Sequence, residues 1–268
     1  MPISAGSRYV AMGSSFAAGP GLPSRVPGSP RRAGRSTGNY AHLIARELGL
    51  DLYDVTFSGT TTSDLLGPSA AGQAAQLDAV TPETSLVTIT AGGNDVGFAP
   101  RLTLASLPWP LRVLPPVKAR ADALGETRAI DQRFEQLERN LSVIAARLRD
   151  RAPACRVVVV NYLSVLPPDG PAPEPPPPAE ITTWGRALAA RLAATTQAAA
   201  GTAGWAYVAA SAASADHHAW SAEPWTRRFH LSLRGGAPYT PNAAGMAAVA
   251  GLVVAALRPG TSTGPEVH

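Results

Sequence analysis

A chain of 268 residues with 45% hydrophobic and 16% charged side chains can bury a sizeable core and is not disordered overall. Its formal charge of +4 comes from 22 arginines, a single lysine (Lys118) and 19 acids, with no aromatic-interleaved basic stripe, which argues against nucleic acid as a partner. One cysteine, Cys155, excludes an intrachain disulfide and reads as a buried, inert thiol, and no run of about 18 apolar residues suggests a membrane span.

Short apolar runs alternate with longer helical patterns. Residues 8–13 (RYVAMG) read as a strand. Residues 39–50 read as a helix, with Leu43, Ile44 and Leu48 on one side and Gly49 as a stop. Strands follow over 51–57 and 85–93. Residues 98–125 form a long apolar insertion, a candidate pocket lining or lid in which Trp109 would meet a hydrophobic substrate, although packing alone would also explain it. Residues 130–151 spell an amphipathic helix with Phe134, Leu137, Leu141, Ile144 and Leu148 on one face. The β-branched run over 156–163 suits a strand covered on both faces. Residues 166–178 are a proline-rich loop. A helix over 182–200, a fifth strand over 204–210 and a final helix over 242–257 complete the pattern. The expectation is an α/β fold: a three-layer α/β/α sandwich around a five-stranded parallel sheet, in one domain over 1–258, with a disordered tail over 259–268.

In such folds the chemistry sits in the loops after the strands. The first loop, GSSFAAGPG (13–21), offers Ser14 or Ser15 as a helix cap, or as a nucleophile beside free backbone N–H groups. The second, FSGTTTSDLL (57–66), has Gly59, either a turn glycine or a point of close backbone approach to a ligand. The third, TAGGNDVGF (90–98), has Asn94, either turn chemistry or an amide donor at a strand end.

A serine, a glycine and an asparagine after three successive strands resemble the blocks of the SGNH hydrolases, the GDSL lipase/esterase superfamily. The stretches YVAMGSSFAAGPG, NYAHLIARELGLDLYDVTFSGTTTSDLL, QLDAVTPETSLVTITAGGNDVGF and PNAAGMAAVA are similar to the family's blocks in order, and together they span most of the chain. The resemblance implies the flavodoxin-like fold of that family. It implies Ser15 as nucleophile, and the backbone N–H groups of Ser15 and Gly59 with the Asn94 amide as oxyanion donors. Ser14 stands where the family's best-known signature has aspartate.

The family's base is a histidine in an Asp-x-x-His-Pro pattern before the final helix. The matching stretch here is Ala237, Pro238, Tyr239, Thr240, Pro241. Thr240 thus occupies the histidine position and Ala237 the aspartate position, and threonine cannot take up a proton near pH 7. His217 and His230, on the segment after the fifth strand, are the candidate replacement bases, with neighbouring His218 on the same segment. His42 is expected to face solvent, and His268 ends the chain. Three functions remain open. The chain is an ester or thioester hydrolase with a relocated base or substrate-assisted proton transfer; or a repurposed enzyme for cyclisation, elimination or acyl rearrangement of a biosynthetic intermediate; or a non-catalytic binding protein. A small-molecule substrate is expected, with no metal, cofactor, nucleic acid or membrane partner. The N-terminal stretch has no charged segment followed by an apolar one, which makes a cytoplasmic location the expectation.

Overall fold

The computed structural model describes residues 3–69, 72–168, 170, 178–230 and 237–258. Most of the proline-rich loop, and the whole tail over 259–268 with His268, lie outside the described residues. Five strands form one parallel sheet: β1 (Arg8–Gly13), β2 (Asp51–Asp54), β3 (Thr84–Thr90), β4 (Arg156–Val160) and β5 (Ala206–Val208), in the order β2-β1-β3-β4-β5. The helices are α1 (Ser15–Ala18), α2 (Tyr40–Leu48), α3 (Thr62–Leu66), α4 (Phe98–Ala105), α5 (Trp109–Arg112), α6 (Pro115–Gly125), α7 (Thr127–Arg151), α8 (Ala179–Ala203), α9 (Ala210–Ala213) and α10 (Ala243–Leu257).

Burial follows the strand order. Every residue of the central β3 is buried, whereas the edge strand β2 has none that is. The regular ladder of β2 ends at Asp54, yet the Val55 and Phe57 N–H groups still donate to the Ala11 and Gly13 carbonyls at 3.0 and 2.9 Å, so the chain keeps alongside β1 as far as the expected Phe57. α2 packs on α10, while α7 packs on α3 and α8. The periodic apolar face of α7 explains its place: Phe134, Leu137, Leu141, Ile144 and Leu148 are all buried. Asn39 caps α2 by accepting the His42 N–H, and Gly49 ends it in the left-handed conformation.

The chain runs from β1 to β2 on one side, then returns to place β3 on the other. The β1/β3 boundary is therefore the point where strand order reverses, and ligands of open parallel sheets bind outside the carboxyl ends there. Ser15 follows β1 and Asn94 follows β3.

Three details differ from the sequence reading. The insertion is three helices, α4 to α6, of which α5 and α6 bury no residue. His42 turns inward: its Nε2 is shielded and 3.5 Å from the Asp54 carboxylate. Cys155 is only partly buried; desolvation nevertheless pushes its thiol up to about 12, which keeps it unreactive.

Candidate active site

β1 ends at Gly13 with φ +134°, where an added Cβ would run into the backbone oxygen of Thr90. Glycine is required by that close approach. The next peptide is held as well, since the Ser14 N–H donates to the Thr90 carbonyl at 2.9 Å. From Ala11 to Pro20 every residue is buried except Ser15.

The two serines separate cleanly. Ser14 occupies the cap position of α1, yet its hydroxyl makes no cap bond; it faces the Tyr162 hydroxyl at 3.2 Å. Capping therefore does not explain the serine pair. Ser15 begins α1, and among the described residues no group hydrogen-bonds its hydroxyl or accepts its backbone N–H.

Gly59 is exposed, with φ +86° and no atom within 4 Å of where a Cβ would stand, and its N–H has no acceptor among the described residues. Asn94 donates one amide hydrogen to the Thr60 carbonyl at 2.9 Å. An amide nitrogen carries two hydrogens, so one remains for a ligand.

Buried polar side chains tie these loops into one unit. The Gln76 Oε1 accepts the Gly13 N–H at 2.7 Å, and its Nε2 donates to the Gly13 carbonyl at 3.2 Å and to the Thr60 hydroxyl at 3.3 Å. The Tyr162 hydroxyl accepts the Gly93 N–H at 2.9 Å while it meets Ser14. Burial pushes the Tyr162 phenol up to about 12, so it stays a neutral hydrogen-bonding group. The Asp95 carboxylate accepts the Thr62 N–H at 2.9 and 3.1 Å and the Thr62 hydroxyl, fixing the start of α3 to the loop that carries Asn94. Its pKa is raised by burial, with the Thr62 hydrogen bonds opposing.

Gln76, Asp95 and Tyr162 were not singled out in the sequence. Tyr162 follows β4 at the same sheet end and was accessible to the strand-end rule; nothing local marks Gln76. Gln76→Leu leaves the Gly13 N–H buried without a partner, while the Gly13 carbonyl keeps the Phe57 N–H. The expected cost is about 1–3 kcal/mol, read as a lowered midpoint in thermal unfolding. An unchanged midpoint would show that Gln76 does not hold the loops.

Thr240 is 1% exposed. Its hydroxyl donates to the Ala237 carbonyl at 2.7 Å, and its own carbonyl accepts the Arg227 N–H at 2.9 Å. The Arg227 guanidinium donates to the Pro20 and Gly21 carbonyls at 2.9 and 3.0 Å, which joins the Thr240 segment to the loop directly behind α1. Tyr239, just before Thr240, holds a left-handed φ of +62°, and its hydroxyl is 2.5 Å from Ser106. Asn242 caps α10 through Gly245 and donates to the Pro224 carbonyl.

His217 stacks on Trp225 with ring centroids 4.1 Å apart, and its Nδ1 is 2.8 Å from the Glu223 carbonyl. His230 Nδ1 is 3.1 Å from the Arg228 carbonyl. A carbonyl only accepts, so in both rings Nδ1 carries the hydrogen and Nε2 presents a lone pair. Neither ring hydrogen-bonds Ser15 among the described residues.

Two cavities flank this region. One, of about 530 Å³, opens at the carboxyl ends of β4 and β5, lined by Tyr162, Phe98, Leu163, Leu166, Gly185 and Leu192 among others. It shares Tyr162 with the Ser14 loop. Trp109 belongs elsewhere: it is 67% exposed and rims a second cavity, of about 360 Å³, with Arg112, Trp220, Arg228 and Phe229.

Residues 11–237 match the model of the GDSL-like lipase/acylhydrolase family. The chain is 36% identical over 155 residues to a lipase of Streptomyces rimosus (58% of this chain, 52% of the relative). It is 45% identical over 89 residues to lipase 2 of Streptomyces coelicolor (32% of this chain, 29% of the relative). The matched part thus spans about half or less of these curated relatives. Among solved structures, the extracellular lipase from Streptomyces rimosus superposes with a TM-score of 0.75 at 28% identity, covering 93% of this chain and 99% of that one. Phospholipase A1 from Streptomyces albidoflavus superposes with a TM-score of 0.76 at 26% identity, covering 94% and 99%.

Proposed function

Because the chain belongs to the GDSL-like lipase/acylhydrolase family, we propose that it hydrolyses carboxylic esters of hydrophobic acyl groups, with Ser15 as nucleophile. The observation that carries this reading is the set of three loops, tied together through Gln76, Asn94 and Tyr162, around the one residue from Ala11 to Pro20 that is not buried. The Ser15 Oγ attacks the ester carbonyl carbon. The electron pair moves onto the carbonyl oxygen, where the Ser15 and Gly59 N–H groups and the free Asn94 amide hydrogen stabilise it. Collapse of that oxyanion expels the alcohol, and water then releases the acid from Ser15. The apolar cavity behind Tyr162 holds the acyl chain.

The attack needs a group that takes the serine proton, since a serine hydroxyl is too weakly acidic to attack unaided; that group then gives the proton to the departing alkoxide, takes one from the attacking water and returns it to Ser15. Thr240 does not serve. We assign that role to the Nε2 of His217 or His230, each held in the accepting tautomer by a carbonyl, or to the substrate itself. Thr240, buried with its hydroxyl donating to the Ala237 carbonyl, fixes its own segment and does not reach the substrate or water contact expected of it.

A second reading is favoured by one observation: no histidine bonds Ser15 among the described residues, and the Thr240 hydroxyl is committed to Ala237. Three oxyanion donors without a base suit cyclisation, elimination or acyl rearrangement of an acyl intermediate, in which a carbonyl is polarised and no serine need be activated.

Turnover of p-nitrophenyl butyrate by the wild-type protein and its Ser15→Ala variant tests the proposal. Loss of more than about 10³-fold in Ser15→Ala is expected. Equal rates for the two proteins overturn Ser15 as the nucleophile. His217→Ala and His230→Ala, measured alongside, identify the base by whichever loses the rate.

A further inference from the structure

Six large apolar side chains stand exposed among the described residues, and four of them fall within six positions: Trp109, Leu111, Val113 and Leu114, exposed by 67, 41, 47 and 44%. They lie on and just after α5. Together with α6, this helix buries no residue. Helices in a water-soluble fold ordinarily persist because one face is buried. α5 and the two residues after it turn apolar groups outward, α6 rests against α4 and α7, and prolines at 108, 110, 115 and 116 shape the segment into a short knuckle.

The charge within the knuckle has one sign. Arg112, Lys118 and Arg120 are the only ionisable residues from Ser106 to Ala121. Lys118 reaches forward to Asp122 at 2.6 Å, and Arg228 contributes a further guanidinium across the 360 Å³ cavity beside Trp109. The Trp220 indole N–H, in the same cavity, is shielded from solvent and has no partner among the described residues. An apolar tip with tryptophan, flanked by cations, is the chemistry that seats at a lipid–water boundary. There the apolar groups enter the acyl region and the cations meet phosphate.

We propose that the Trp109–Arg120 knuckle is a docking surface for an anionic lipid surface. This stands apart from the ester chemistry assigned to Ser15. Patches of this kind also serve protein interfaces; the excess of cations, with Arg112, Arg120 and Arg228 beside the Lys118–Asp122 pair, favours phosphate-bearing lipid, and a second copy of the chain is left as an outcome of the test.

Sedimentation of the full chain with vesicles of ether-linked phosphatidylcholine, with and without ether-linked phosphatidylglycerol, is the decisive measurement. Ether lipids cannot be hydrolysed, so binding is read apart from turnover. Binding to the phosphatidylglycerol vesicles is expected, at least about tenfold stronger than to phosphatidylcholine alone and weakened by salt. The triple variant Leu111→Ser, Val113→Ser, Leu114→Ser should lose about tenfold or more of that partition while hydrolysing soluble p-nitrophenyl acetate as the wild type does. No binding to either vesicle, or equal binding by the triple variant, overturns the proposal. A dimer in sedimentation equilibrium that the triple variant converts to monomer also overturns it, because a second copy then covers the patch. If vesicles bind but no ester is turned over, the docking surface stands and the hydrolase reading falls.

Discussion

If no native histidine serves Ser15, Thr240→His should raise turnover of p-nitrophenyl butyrate by about 10²–10⁴-fold, the ordinary range for supplying a positioned base. The expectation rests on how firmly the backbone at this position is held. The Thr240 carbonyl is bound by the Arg227 N–H, and Arg227 is bound to Pro20 and Gly21 behind the nucleophile's helix. The preceding Tyr239 is fixed in a left-handed conformation with its ring buried. The following Asn242 caps α10. A new side chain at 240 therefore inherits a defined origin. The Ala237 carbonyl that now accepts the threonine hydroxyl at 2.7 Å is placed to accept an Nδ1–H instead. That contact would leave Nε2 as the lone pair, the arrangement a serine hydrolase needs.

The gain should carry its own pH signature. An imidazole near its ordinary pKa of about 6.5 accepts a proton only when neutral. Activity gained by Thr240→His therefore falls as pH drops below that value, and the gain disappears in Thr240→His, Ser15→Ala. If the wild type is silent and Thr240→His is active, relocation of the base to His217 or His230 is ruled out. If the wild type is already active and His217→Ala or His230→Ala removes that activity, the base has moved, and Thr240→His should add little. A folded Thr240→His protein without gain, beside a silent wild type, points to chemistry in which Ser15 is never activated.

The framework of the fold was written into local sequence pattern; the site was written there only in part. The β-branched run Val157–Val160 reveals itself because strands covered on both faces are apolar, whereas the equally buried β3 carries Thr88 and Thr90, whose hydroxyls meet those of Tyr9 and Tyr40. The long helix α7 shows because its buried side chains repeat with the helical period. By the same logic α5 and α6 escape detection: with nothing buried, they carry no stripe to read. α1 and α3, of four and five residues, are too short for any period to register. In the site, Ser15, Gly59 and Asn94 are visible because each sits at a strand end with a distinctive turn. Gln76 is not, because its importance lies in reaching Gly13, 63 positions away, and the Thr60 hydroxyl. The inward turn of His42 toward Asp54 is also tertiary, since helix α2 alone leaves that flank of the ring undecided.

Asn94→Ala is expected to lower the rate of the native reaction by about 10²–10³-fold, the cost of removing one oxyanion donor. Most of the loss should appear in kcat, because the donor meets charge that develops only in the transition state. Asn94 also anchors the Thr60 carbonyl beside Gly59, so a looser loop is a competing cause. Gln76→Leu separates the two. It disturbs the same Thr60 loop from the other side and leaves the Asn94 amide in place, so a loop effect alone would give both variants similar kinetics. A much larger kcat loss in Asn94→Ala identifies the amide as a donor to the reacting oxygen. Asn94 serves the hydrolytic and the non-hydrolytic readings equally, whereas Ser15 as nucleophile serves only the first. Asn94→Ala and Ser15→Ala both silent therefore means acyl transfer through serine. Asn94→Ala silent with Ser15→Ala active means that the pocket polarises a carbonyl and the serine hydroxyl is a bystander.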